Sequence, residues 1–183
     1  FFFAPLIGVY AAYLWRLEHR GHNWNLIMTA PVRPFALYAA KFCAMAKMAF
    51  LTQGWLLVLF LVGGKLGAGL AGFPPPEILL WLLRGAVGGL PIIAIQLLLS
   101  MVIRNFALPV LMALGGSILG LMATTSNAGL FWPYSLMLMG MNSNRTEDVM
   151  TGQLPGFFLS CIIFLAIFLL IADAVLAKQD VKA

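Results

Sequence analysis

Between Arg16 and Arg33 the chain gathers three arginines, both of its histidines and a glutamate, Glu18, in a protein that is only 9% charged. Trp24, Leu26, Ile27 and Met28 interleave with these polar groups, and Pro31 and Pro34 close the stretch before an apolar run that contains Lys41. Residues 18–30 therefore read as a short amphipathic helix lying at a membrane surface between two spans. A helix of that kind is a handle that a soluble partner can push, and Glu18, His22, Trp24, Leu26, Pro31 and Arg33 are the candidate coupling residues. His19 and His22 are spaced to share a helix face, but no Cys or third His joins them to complete a metal site, so they read as solvated surface.

Chemistry of other kinds is missing from the pattern. Gly64-Lys65 has Leu59 where a phosphate-cradling loop needs its first glycine and Leu66 where it needs a hydroxyl, so the chain does not bind ATP in that way. No Gly-x-Ser-x-Gly elbow and no His-Glu-x-x-His helix occurs. Cys43 and Cys161 both lie inside apolar runs, where a thiol serves as a small core residue. The expectation is a non-catalytic subunit with no cofactor of its own.

The charges inside apolar runs are the remaining candidates. Lys47 lies about 9 Å farther along a helix than Lys41, and Arg84 is two turns in from Glu77. Charge at such depth snorkels, pairs or faces a wet cavity. Arg84 is expected to snorkel toward Glu77, whereas Lys47 has no local partner. With Gln96, the amide of the third long run, they are candidate pathway residues.

The elements that position these groups follow from hydropathy. The chain is 62% hydrophobic with a mean hydropathy of +0.98, too little polar surface for a soluble globule, so an all-α integral membrane protein is expected. Eleven basic residues give a net charge of +5, but they stand singly at the ends of apolar runs rather than in a stripe, which excludes a nucleic-acid face. Spans are expected at about 1–15, 35–62, 77–103, 106–126 and 155–177, the third interrupted by Gly85, Gly88-Gly89 and Pro91, with a tail from 178 to 183. The first run is short for a span and reads as the inner part of one. The steps Gly85-x-x-Gly88 and Gly116-x-x-x-Gly120 suit close helix packing.

Lys and Arg favour the segments 16–34, 103–106 and 178–183, which sets these on the cytoplasmic side and 63–76 and 127–154 outside. Residue 1 then starts outside, and one further span upstream would complete an even six. Residues 128–141, uncharged and rich in Met and aromatics, are too short to cross. They are expected to lie in the outer interface or to dip in and return, Pro133 breaking the helix and Trp132 and Tyr134 anchoring at headgroup level. With Ser135 these residues would form an external lid or gate.

Glu18, Trp24-x-Leu26, Thr29-Ala-Pro31-Val-x-Pro34, Tyr38 and Lys41 resemble the pattern of permease subunits of ABC type-2 exporters, most nearly the lantibiotic-immunity and bacitracin-resistance permeases. Leu130-Phe-Trp132-Pro133-Tyr134-Ser135 is similar to the aromatic-Pro-aromatic-Ser stretch before their last span. The resemblance implies a six-span fold in a bacterial cytoplasmic membrane and two permeases, identical or sister chains, with two ATPase subunits that hold ATP and Mg. It further implies ATP-driven removal of an amphiphilic peptide or lipid-like substrate.

Two other classes fit a chain of spans without an engine: a self-contained secondary carrier or channel, and a membrane immunity or interaction protein that transports nothing. The inverted repeat and paired broken helices that favour a carrier are not seen.

Overall fold

The computed structural model describes residues 2–19, 33–143, 145, 147–148 and 150–179. Among them are six α-helices and no strand: α1 Phe3–His19, α2 Pro34–Val62, α3 Glu77–Val102, α4 Ala107–Thr125, α5 Pro133–Gly140 and α6 Leu154–Gln179. A π-helical turn, Gly63–Gly67, prolongs α2, and a 3-10 turn, Gly129–Phe131, precedes α5. Long apolar segments take this form because a helix satisfies its own backbone where no water can.

Among the described residues four helices are long and apolar enough to cross a membrane: Pro34–Gly67, Glu77–Val102, Ala107–Thr125 and Leu154–Lys178. At 17 residues α1 is shorter, rising about 25 Å. The core forms around α3, whose apolar window is 44% buried, against 17% for the windows of α2 and α6. Those two helices turn Leu51, Trp55, Phe60, Leu159, Ile162 and Leu170 outward, an apolar surface fitted to lipid. Trp15, Tyr38, Ile92, Ile93 and Leu97 are fully buried at the centre.

The expected interruption of the third run does not occur. α3 is continuous through Gly85, Gly88, Gly89 and Pro91. Its neighbours fill the space that the small residues leave, and the one donor that Pro91 removes costs less inside a packed membrane helix than a break that would free several backbone groups.

Two ends of the bundle can be told apart. At one, the last turn of α1 meets the start of α2 and the corner between α3 and α4: Lys41 Nζ donates to Glu18 Oε1 at 2.9 Å, and the Arg16 guanidinium lies 5.6 Å from the Phe106 ring centre. At the other, the start of α3 meets the end of α5 and the loop after it, where Arg84 reaches Asp148.

Candidate functional site

The stretch 128–141 turns into the bundle instead of lying across its end. The 3-10 turn leads down, and α5 then returns antiparallel to α3, packed against both α3 and α4. Eight residues of helix give it a depth of roughly 12 Å. Glycines make the seat. A Cβ at Gly88 would stand 2.6 Å from the Leu136 carbonyl oxygen, and one at Gly140 would stand 2.6 Å from the Arg84 carbonyl oxygen, so the two backbones touch from both sides. On α4, a Cβ at Gly116 would meet the Tyr134 ring at 2.8 Å, and one at Gly120 the Tyr134 backbone at 3.0 Å. The small-residue steps thus serve close approach, as the sequence suggests, with α5 as the element approached.

A polar seam runs behind this short helix. Gln96 is fully buried, and its Nε2 donates to the Tyr134 hydroxyl at 2.6 Å. Its Oε1 has no partner among the described residues and faces α1, 3.3 Å from where a Cβ on Gly8 would lie. Trp132 Nε1 donates to the Gly116 carbonyl at 2.9 Å, and Ser135 Oγ bonds the carbonyls of Trp132 and Gly129. One helix over, the Tyr38 hydroxyl donates to the Ala94 carbonyl at 2.6 Å.

Beside the seam is a cavity of about 210 Å³, lined by Tyr134, Ser117 and Ser143 among Phe3, Leu56, Ile92, Met137 and Met141. Tyr134 accepts from Gln96 and keeps a proton to donate elsewhere. The arrangement can hold an apolar body with one or two acceptor groups, and it offers no nucleophile paired to a base. Among the described residues no group of three His, Cys, Asp or Glu gathers to hold a metal.

Of the residues singled out in the sequence, Gln96, Trp132, Pro133, Tyr134 and Ser135 come together here. Several details differ from expectation. Pro133 opens α5 at its first position, where its missing N–H costs nothing, and does not break a helix. Tyr134 and Trp132 point into the bundle rather than to headgroup level because a buried donor on α3, Gln96 Nε2, and a buried acceptor on α4, the Gly116 carbonyl, await them. Ser135 is fully buried and spends its hydroxyl on backbone carbonyls within the stretch.

Arg84 does not reach for Glu77, which is exposed. It donates to Asp148 Oδ2 at 2.8 Å, an acceptor that Trp81 Nε1 also uses at 3.3 Å. Burial, the largest influence, pushes the Asp148 carboxyl up, but hydrogen bonds from Arg84, the Met150 amide and Trp81, with the Arg84 charge, outweigh it and hold the group below its ordinary value. Lys47 is exposed on α2 and makes no ion pair among the described residues, so it is not part of the seam.

Glu18 belongs to the last turn of α1, and its carboxylate is engaged inside the bundle by Lys41, which also donates to the Leu14 carbonyl at 2.9 Å and lies 5.1 Å from the Trp15 ring centre. Arg33 is the residue before α2. His22, Trp24, Leu26 and Pro31, the rest of the coupling set, lie outside the described residues.

Sequence reasoning passed over Asp148 and Ser117 and gave Gln53 no role. Asp148 was findable, since a buried arginine demands an acid and the chain has only six. Gln53, 4% exposed, donates from Nε2 to Met141 Sδ at 3.5 Å, a contact no spacing could signal.

A family model described as ABC-2 family transporter protein matches residues 1–120. No curated protein and no solved structure matches the chain.

Proposed function

The chain belongs to the ABC-2 family of transporter proteins, and from that premise we propose that it is the permease of an ATP-driven exporter that takes an amphiphilic substrate, such as an antimicrobial peptide, out of the membrane. The coarser part of this statement follows from the family and the helices: a multi-pass membrane protein, the membrane subunit of an ABC transporter, whose family normally works with an ABC ATPase. Direction, substrate and stoichiometry are our reading.

The family match is the observation that carries the reading, because it supplies the motor that the chain's own residues do not. In this reading the coupling helix expected over 18–30 starts beyond α1, which ends at His19, Trp24 and Leu26 seat in a groove of the ATPase, and ATP with Mg is held there. The chain is one transmembrane domain over 1–177 with a short cytoplasmic tail at 178–183, and the loop after α5 faces outside. Two permeases, identical or sister, pair with two ATPases. The likeness of residues 18–41 and 130–135 to lantibiotic-immunity and bacitracin-resistance permeases favours a peptide substrate, and the cavity behind α5, apolar with a few hydrogen-bonding groups, suits an amphiphile better than a sugar or an ion.

Motion at the ATPase would reach the seam through α1 and α2. Glu18 and Lys41 tie those helices together at the basic end, and Tyr38, one turn from Lys41, ties α2 to the middle of α3. The test is affinity purification of the tagged chain from its native membranes. Recovery of an ATP-binding subunit, lost in Trp24→Ala, is expected. Purification of the chain without any such subunit, together with substrate movement indifferent to ATP, overturns the reading.

A further inference from the structure

At the basic end of the bundle, where α1 finishes and α3 turns into α4, lies a second cleft of about 350 Å³. Arg16, His19, Ser100, Arg104 and Asn105 line it, with Phe106 as a wall. It is a site of donors. Arg16 comes from the last turns of α1 and Arg104 from the corner between α3 and α4, and neither is in an ion pair among the described residues. Asn105 spends its Oδ1 on the Ala107 amide at 2.8 Å, which leaves its NH₂ to donate. Ser100 is only 2% exposed, and its Oγ has no partner among the described residues. Among the described residues no carboxylate lines the cleft.

Arginines near the last turns of α1 and α3 answer the negative ends of those helices, which accounts for their charge. It does not account for a free amide at the same cleft, nor for an unpartnered hydroxyl buried in its wall. Guanidinium, amide and hydroxyl donors together ask for an anion with several acceptor oxygens, and arginine forks match phosphate in particular. The surroundings say where such a phosphate would come from. Val102, Phe106 and Leu108 flank the cleft with exposed apolar side chains at the ends of membrane-length helices, so a molecule with its anionic head in the cleft can lay its tails along α3 and α4.

We propose that this cleft binds the phosphate headgroup of an anionic phospholipid. The inference goes beyond the transport reading and does not depend on a motor partner or on a substrate.

The intact transporter is reconstituted in phosphatidylcholine vesicles doped with phosphatidylglycerol, washed in detergent, and its retained lipid measured by mass spectrometry. Phosphatidylglycerol retention is expected to weaken roughly fivefold in Arg16→Gln or Arg104→Gln and about twenty-five-fold in the double variant. Lys65→Gln, in the π-helical turn that prolongs α2, should leave it unchanged. Equal retention in a double variant that elutes and melts like the parent overturns the proposal. So does release of the lipid by inorganic phosphate alone, which would mark a free-phosphate site. Loss of the ATPase with lipid retained would mark a docking surface for an acidic protein segment, and it too overturns the proposal. Should the double variant not fold, spin-labelled lipids report on the unaltered protein: an immobilised population is expected for phosphatidylglycerol above that for phosphatidylcholine, and equal populations overturn the assignment.

Discussion

Gly88 is where the seating of α5 can be tested most directly. A methyl group added there lies 2.6 Å from the Leu136 carbonyl oxygen, 2.7 Å from its carbon and 2.9 Å from the Met137 nitrogen, all backbone atoms that cannot rotate away. Ordinary contact needs about 3.5 Å, so α3 and α5 must part by nearly 1 Å, and overpacking of that kind costs about 1–3 kcal/mol. The same change also raises helix propensity by up to about 1 kcal/mol, which masks part of the cost. Gly115→Ala removes the ambiguity, because it sits mid-helix on α4 with nothing within 4 Å of its added Cβ. Both variants gain the same propensity, so the difference between them reads the clash alone. Thermal unfolding of the purified protein in detergent should put Gly88→Ala below Gly115→Ala by about 1–3 kcal/mol. Substrate export by Gly88→Ala should fall as well, since the cavity lies beside the displaced helix. If the two variants melt together and export equally, the close seating of α5 on α3 is wrong.

Other expectations follow from named contacts. In a double-mutant cycle of Gln96→Leu and Tyr134→Phe the coupling should be about 0.6 kcal/mol and not above about 1.7, the range for hydrogen bonds between membrane helices, and zero coupling would dissolve the seam. Glu18→Gln or Lys41→Met each strands one member of a mostly buried pair and should cost about 3 kcal/mol of stability, with partial recovery in the double variant; loss of ATPase association without loss of stability would instead make Glu18 a docking residue. Asp148 has a carboxyl held below its ordinary value, so its contribution is present above the usual carboxylate range and fades as pH falls below it; the melting temperature should drop on acidification, and Asp148→Asn should lower it at neutral pH and flatten that dependence. Single-Cys labelling from outside intact cells should modify position 144 and spare position 180, the reverse pattern refuting the proposed orientation.

Hydropathy alone determines that this chain is helical and lies in a membrane, because a backbone in lipid has few other ways to satisfy itself, and the edges of its long runs match α2, α3, α4 and α6 within a few residues. The pattern of residues 18–41 also resembles that of the family that the match over 1–120 shows. Side-chain direction is another matter. Trp132 and Tyr134 have the composition of an interfacial belt, and only the glycine groove on α3 and α4 decides that they turn inward to Gly116 and Gln96. Arg84 has an acid two turns away in sequence, yet the loop after α5 brings Asp148 closer than helix geometry brings Glu77. In both cases the partner sits more than 15 residues away along the chain, and a one-dimensional pattern reports neighbours on a helix face but not what another helix places against it. The cleft of Arg16, Ser100 and Arg104 is of the same kind: both arginines close apolar runs and Ser100 lies just inside one, and the packing of α1 against the α3–α4 corner is what makes one donor-lined space of them.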